Sequence, residues 1–172
     1  MQIKKVVNSD VYKRTFEPMG KGLLLFEIKK DISRNGQNYH FFYGNGKKPP
    51  LDLSINPDDN TIEYISFLLQ DEKIVSRKRE DTVFFFKEEN IAISDNNFSS
   101  DRPHIDFSRE FEIALLNDNK IAIVSKDVKS DLIGYRIDTS NYILFQEGIF
   151  SGFLMENIST NEWEAIKESD GL

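Results

Sequence analysis

The sequence predicts a mainly β fold, or an α+β fold with little helix, and two observations support this. Most apolar segments are short, rich in β-branched and aromatic residues, and separated by turn residues, which is typical of strands. Helical segments do not alternate with these strands, which argues against a parallel βαβ architecture. We therefore expect an antiparallel sandwich or a strongly curved sheet of about ten strands with a short C-terminal helix.

The strand predictions follow from apolar blocks that lie between turn signals. Residues 22–29 are apolar on both faces at their start, so this strand should be central. The Asn-Gly step within 34–37 predicts a hairpin that joins it to 39–43, and 56–60 predicts a second turn. A short helical turn is expected over 8–16. The segments with strand character are 2–7, 22–29, 39–43, 51–55, 61–70, 82–87, 91–94, 110–116, 120–125, 132–137, 141–146 and 148–156.

A single helix is predicted near the C-terminus, over residues 160–168. Ser159 and Glu162 have the spacing of a capping box, in which a hydroxyl and a carboxylate satisfy free amides of the first turn. Trp163 and Ile166 give the helix an apolar stripe.

The length of 172 residues fits one domain, spanning residues 1–172. A faint internal echo leaves an alternative open, because residues 59–66 resemble residues 118–125, with four identical positions. The alternative is an internal duplication into two similar fused halves, with a boundary near the polar segment 95–102.

The amino-acid composition restricts the kinds of functional site and of membrane segment that the chain can contain. The chain contains no cysteine, which excludes disulfides, thiolate metal sites and a cysteine nucleophile. We find no secretory leader pattern at the N-terminus, and the longest apolar runs, such as 23–26, are far below the roughly 20 residues of a membrane helix. We expect a cytoplasmic protein of bacterial type that does not enter a membrane.

The charge of −7 is unevenly distributed along the chain. Residues 1–50 carry ten Lys/Arg and four Asp/Glu, a sum of +6, whereas residues 51–172 carry twelve and twenty-five, a sum of −13. An acidic chain disfavours nucleic-acid binding, which depends on neutralising phosphates. It favours a basic protein partner, because complementary fields speed encounter.

Two turn segments resemble ligand loops only superficially. Residues 44–48 have the wrong glycine spacing for a P-loop, and two prolines follow, so we interpret them as a flexible turn. Residues 56–60 begin like a calcium loop but lack its glycine and its final glutamate, so their Asx side chains should stabilise the turn itself. The basic run 77–79 lies among acids in 73–81, a segment expected to be a solvated loop or a short exposed helix.

The sequence shows no catalytic, metal-binding or cofactor-binding constellation. His40 and His104 are the two histidines and lie 64 residues apart, so we expect them to be unrelated, with His104 in a loop. A meeting of the two in space would favour a site built from histidines and a carboxylate. Ser151 and Gly152 lie inside a strand pattern and indicate a bulge or a close backbone approach. The aromatic segments 39–43 and 82–86 are expected to be buried core.

Three functional hypotheses follow. The first is a non-enzymatic acidic binding protein, of the kind that bacterial immunity or inhibitor proteins represent, which covers a basic partner protein. The alternative is a β-sandwich or barrel module that binds a small molecule or carbohydrate in a pocket lined by tyrosines such as Tyr39, Tyr43 or Tyr142. The second alternative is a hydrolase whose site combines scattered carboxylates with His40 or His104.

Overall fold

The computed structural model of the chain describes residues 1–70, 72, 74, 82–117, 119–129 and 131–169. Strands dominate this part of the chain, and one helix follows them. The strands are β1 (Gln2–Val6), β2 (Tyr12–Gly20), β3 (Leu23–Lys30), β4 (Tyr39–Gly44), β5 (Leu51–Ile55), β6 (Ile62–Gln70), β7 (Phe84–Lys87), β8 (Asn90–Ser94), β9 (His104–Ser108), β10 (Phe111–Asn117), β11 (Lys120–Ser125), β12 (Leu132–Arg136), β13 (Asn141–Gln146) and β14 (Ile149–Glu156), and the helix is α1 (Thr160–Glu168).

Two six-stranded sheets form the body of the fold. The first sheet has the order β2-β3-β6-β5-β4-β9, and the second has the order β10-β11-β14-β13-β12-β7. Neighbouring strands are antiparallel except for the last pair of each sheet, β4–β9 and β12–β7, which are parallel. β1 pairs with β8 in a separate two-stranded ribbon. The predicted mainly β, sandwich-like fold with one short C-terminal helix is confirmed, although the described residues hold more strands than expected.

The inner faces of the two sheets pack against each other and form the main core. Phe26 of β3 and Ile65 of β6 are fully buried on one side, and Ile123 of β11 and Phe153 of β14 are fully buried on the other. Burial of this kind of apolar surface is the dominant favourable contribution to folding. The alternation of apolar residues along each strand therefore determines which face of the sheet turns inwards.

The outer face of the second sheet carries its own apolar cluster. Leu144 and Leu154 are fully buried there, and Phe84 packs against the cluster. Phe86 lies across Gly134, where an added Cβ would come within 2.9 Å of its ring. The expectation that 82–86 is buried core is partly wrong, because Phe85 and Phe86 remain 52% and 41% exposed at the sheet edge.

The hairpin predicted between 22–29 and 39–43 is wrong. β3 lies between β2 and β6, and β4 lies between β5 and β9, so the two predicted partners are not neighbours. The Asn-Gly step specifies a local reversal but not which strands pair beyond it. The helical turn predicted over 8–16 is also wrong, because β2 begins at Tyr12 and its backbone groups pair with β3. The central position predicted for 22–29 and the hairpin around 56–60 are confirmed.

The segment between β6 and β10 interlocks the two sheets. β7 follows the last main strand of the first sheet but adds to the second sheet beside β12. β9 precedes the first strand of the second sheet but adds to the first sheet beside β4. Each sheet therefore receives an edge strand from the connection between the sheets.

Both sheets follow the same path through their five consecutive strands. Strands β2 to β6 are arranged as first-second-fifth-fourth-third, and strands β10 to β14 repeat that arrangement. This is the topology that an internal duplication would produce, and the duplication itself stays a prediction. The two echoing segments, 59–66 and 118–125, lie at non-equivalent strands, β6 and β11.

The C-terminal helix α1 has the predicted bounds. Ser159 accepts a hydrogen bond from the Glu162 amide at 3.2 Å, and the Glu162 carboxylate accepts one from the Ser159 amide at 2.9 Å. The capping box is therefore complete. The same Glu162 carboxylate binds Arg14 of β2 through two hydrogen bonds of 2.8 Å, which fixes the helix against the first sheet.

Gly152 marks a close approach of two strands, as its position in the strand pattern indicated. An added Cβ would lie 1.9 Å from the carbonyl oxygen of Ile123, and φ at this residue is +134°. The register between β13 and β14 shifts here, because Leu144 pairs with Gly152 whereas Phe145 pairs with Phe150. The extra residue is a bulge, which bends β14 across the second sheet.

We expect Gly152→Ala to lower the free energy of unfolding by about 3 kcal/mol or more, because it adds a backbone clash to an unfavourable φ. Gly148→Ala is the matched control, since Gly148 also has a positive φ, +77°, but faces open space. Urea unfolding of both variants separates the two effects. Equal losses of stability would contradict the close approach.

Candidate functional site

The two histidines meet in the first sheet. His40 of β4 and His104 of β9 are register partners in a parallel strand pair. The expectation that they are unrelated is therefore wrong, and so is the placement of His104 in a loop. The pairing of two parallel strands that lie far apart in the chain leaves no pattern within either strand, because it depends on which position at the edge of the sheet other strands have left unpaired.

His40 takes part in a polar cluster on the outer face of the first sheet. Its Nδ1 lies 2.9 Å from Oδ1 of Asp52, and the Tyr64 hydroxyl donates to the same carboxylate at 2.7 Å. Burial raises the pKa of Tyr64, and the hydrogen bond to Asp52 adds to that effect. The His40 ring also stacks on Phe42 at 5.2 Å. The carboxylate thus fixes the orientation of the imidazole, which is half-buried.

Among the described residues, His40 forms a hydrogen bond to Asp52 but to no serine hydroxyl. Ser54 is in register with His40, but it is fully buried. His104 Nε2 lies 3.7 Å from Oδ2 of Asp106, and both residues belong to β9, the exposed edge strand of the first sheet. Within the described ranges, no three histidine, aspartate or glutamate side chains gather in a geometry that holds a metal ion.

The tyrosines proposed for a sugar pocket pack mainly against other rings. Tyr39 stacks on Phe98 at 4.7 Å, and the buried Tyr43 stacks on Phe107 at 4.9 Å. Tyr142 lies under Phe86 in the outer cluster. Tyr43 lines a small cavity, whereas a larger one of about 380 Å³ lies beside Phe42 and Phe107. Of the three tyrosines, Tyr43 therefore lines a cavity, and the larger cavity is lined by Phe42 and Phe107 instead.

The two ligand-like turns are stabilised by their own side chains. Asn45 accepts a hydrogen bond from the Lys47 amide, and Asn56 accepts one from the Asp58 amide. Each bond joins an asparagine side chain to the amide two residues further along the chain, which is the pattern of an Asx turn. Asn60 adopts a positive φ of 62°, which Asn tolerates in a tight turn. The basic run 77–79 lies outside the described residues.

The strongest candidate for a binding site is one end of the first sheet, which we call the Asp10 end. It consists of the loop 7–11, the residues Lys30–Ile32 at the end of β3, and the turn 56–60. The strands bring these segments together, because the Asp31 amide donates to the Val11 carbonyl at 2.8 Å and Arg34 reaches Asp58 at 3.3 Å. Four aspartates lie here, namely Asp10, Asp31, Asp58 and Asp59.

A buried ion pair holds the Asp10 end together. Nζ of Lys30 donates to the Glu63 carboxylate at 2.9 Å and to the Thr61 hydroxyl at 2.7 Å, and it lies 3.3 Å from Asp10. Lys30 and Glu63 are 8% and 3% exposed. The Thr61 hydroxyl in turn donates to Asp59 at 2.7 Å.

The sequence carries a signal for this pair that the sequence analysis missed. Leu24, Phe26 and Ile28 alternate on the inner face of β3, and Lys30 continues the same alternation. Glu63 occupies the inner-face alternation of β6 in the same way. A lysine and a glutamate that end two neighbouring inward faces are expected to pair, because a buried charge without a partner is very costly.

The charges at the Asp10 end shift the pKa values of its groups. Burial alone would lower the pKa of Lys30, but the hydrogen bonds and charges of Glu63 and Asp10 raise it above its usual range. Burial alone would raise the pKa of Asp59, but the hydrogen bonds from Thr61 and the Lys30 charge lower it. Lys30 is therefore shared among several carboxylates and Arg34 pairs with Asp58, so carboxylates still outnumber cations at the Asp10 end.

Exposed apolar side chains surround these carboxylates. Val7, Val11 and Ile32 are 102%, 68% and 86% exposed. Val11 and Ile32 flank an open cavity of about 220 Å³, which Ser9, Asp10 and Asp31 also line. Val11 and Ile32 thus share one cavity beside charged residues and are not isolated exposed side chains.

No known protein family matches this chain, and no curated protein matches it at a significant level of sequence similarity. The helix α1 has nine residues, and no described helix is long and apolar enough to cross a bilayer.

We expect Lys30→Met to lower the free energy of unfolding by about 3–5 kcal/mol, because it leaves the Glu63 carboxylate buried without a partner. The double variant Lys30→Met/Glu63→Leu should regain most of that loss, since it removes both charges. Urea unfolding of the single and double variants checks this. If the double variant were no more stable than Lys30→Met, the loss of stability would not come from the unpaired Glu63 charge, and the prediction would be contradicted.

The stability of the protein should fall in acid. The pKa of Asp59 is lowered, and so is that of Asp95, where the charge of the Met1 ammonium and the Asn97 hydrogen bonds outweigh burial. A carboxyl with a lowered pKa stabilises the fold above its unfolded pKa of about 3.9, and this stabilisation is lost as the pH falls through the folded value. Urea unfolding between about pH 5 and about pH 2 should show this decline, with a smaller slope in Asp59→Asn. An unchanged slope in that variant would contradict the assignment.

Proposed function

We propose that this chain is a non-enzymatic binding protein whose Asp10 end covers a basic surface of another protein, as an immunity or inhibitor protein does. The observation that carries the proposal is the exposure of Val11 and Ile32 beside Asp10 and Asp31. These apolar side chains provide contact area, and the carboxylates provide a field that attracts a basic partner.

Hydrogen bonds beneath the surface of the Asp10 end support this role. The Lys30–Glu63 pair and the Tyr12 hydroxyl, which donates to the Ile62 carbonyl at 2.6 Å, hold its strands in place from inside. A surface that is already ordered loses little conformational entropy on binding, which favours affinity.

The charge of the Asp10 end also predicts how the complex forms. Exposed carboxylates such as Asp31 and Asp58 act through long-range attraction, which salt screens with a Debye length of about 10 Å at 0.1 M ionic strength. The proposed complex should therefore form fastest at low ionic strength, whereas contacts of Val11 and Ile32 should resist salt.

The test is affinity purification with the immobilised chain from an extract of the organism that carries its gene, at low salt, followed by identification of the bound protein. A basic protein should be retained by the wild-type chain and lost with Ile32→Ser and with Asp31→Lys/Asp58→Lys, because these remove the apolar contact and reverse the field.

Matched controls place the same changes elsewhere. Ile149→Ser alters another exposed isoleucine, and Glu17→Lys/Glu147→Lys reverses two exposed carboxylates outside the Asp10 end. These controls should retain the partner. Retention by the Asp10-end variants, loss with the controls, or recovery of no partner by the wild-type chain would contradict the proposal.

A further inference from the structure

A second site lies at the opposite end of the first sheet, where the chain crosses from β9 to β10. Arg109 occupies this crossing, and its amide donates to the Gly44 carbonyl at 2.9 Å. Its guanidinium lies over the buried Tyr43 ring at 5.9 Å, and Nη1 donates to the Phe150 carbonyl at 2.5 Å. The side chain is therefore half-buried between the two sheets and held in one orientation.

One hydrogen-bond donor of Arg109 is buried and unpaired. Its Nε is buried and has no hydrogen-bond partner, and no carboxylate of the described residues lies within ion-pairing distance. Arg14 shows what a satisfied arginine looks like in this protein, since its Nε and Nη2 each donate to Glu162 at 2.8 Å. Nε of Arg136 is likewise unpaired, but its guanidinium pairs with Glu88, so of these two arginines Arg109 is the one that still calls for an anionic partner.

The neighbouring carboxylates are already engaged with lysines. Glu72 pairs with Lys48, and Glu110 pairs with Lys126 at 3.1 Å. Glu110 also accepts a hydrogen bond from Asn45 at 3.1 Å. Arg109 is thus the cation of this group that has no carboxylate partner among the described residues, although Asp127 and Glu147 line a neighbouring cavity with it.

Cavities give a ligand access to this region. A cavity of about 60 Å³ lies among Tyr43, Lys48, Arg109 and Lys126. At roughly 30 Å³ per water, it has room for about two waters, comparable to a carboxylate head group. A cavity of about 380 Å³ adjoins it, shares Lys48 as a lining residue, and extends to Phe42 and Phe107.

We propose that Arg109 anchors a binding site for a small molecule that bears an oxyanion, either a carboxylate or a phosphate. The oxyanion lies beside Lys48 and Lys126 and accepts charge-assisted hydrogen bonds from the guanidinium of Arg109, a group well suited to such anions. The apolar remainder of the molecule lies in the larger cavity against Phe42 and Phe107. This site is independent of the Asp10 end.

The experiment follows the Arg109 Nε–H signal by nuclear magnetic resonance while the wild-type chain is titrated with inorganic phosphate and, separately, with benzoate. Benzyl alcohol is the neutral control for the ring, and sodium chloride is the control for ionic strength. We expect saturable shifts of this signal with at least one of the two oxyanions, and neither control should produce them. Saturation by phosphate alone or by benzoate alone distinguishes the two sources of the anion.

Variants separate binding from a structural role. Arg109→Gln should weaken the binding of that oxyanion by at least about tenfold, because charge-assisted hydrogen bonds are lost. Arg102→Gln, which alters an exposed arginine on the preceding connection from β8 to β9, should bind as the wild type does. Shifts that stay linear with both oxyanions, or equal affinity in Arg109→Gln and the wild type, would overturn the proposal. If Arg109→Gln does not fold, the wild-type titration decides alone.

Discussion

The packing of two inward-facing apolar surfaces is the constraint on which the rest of this structure depends. Phe26 and Phe41 on the first sheet and Phe145 and Phe153 on the second are all buried in one core. Because the two sheets must present these faces to each other, polar groups that fall on an inward face have to find partners there. Lys30 and Glu63 do so with each other, and this pair in turn positions the surface residues of the Asp10 end.

The sequence predicts the elements of this fold better than their partners. The alternation of Phe111 and Ile113 indicates a strand, and Ser159 with Glu162 indicates where α1 begins, because both patterns arise from neighbours along the chain. The pairing of β4 with β9 and of β7 with β12 brings together residues far apart in sequence. No local pattern encodes such a choice, so the meeting of His40 with His104 could not be predicted.

The candidate sites illustrate the same limit. The acidity of the chain suggested a basic partner, but the residues of the Asp10 end come from segments near positions 10, 31 and 58 that only the sheet unites. Arg109 is one arginine among many in the sequence, and its unpaired donor becomes visible only when its neighbours are known. The acidic Asp10 end and the unpaired Nε of Arg109 thus lie at opposite ends of the same sheet.

The exchange of edge strands between the two sheets determines whether either half of the chain can fold alone. A fragment that ends after β8 would lack β9 and leave the edge of β4 without its partner, and a fragment that begins at β9 would lack β7 beside β12. Unpaired sheet edges of this kind recruit strands from other molecules. We therefore expect that neither half of the chain, obtained by proteolysis or by gene truncation, stays in solution alone. Its unpaired sheet edge would pair with strands of other molecules and aggregate.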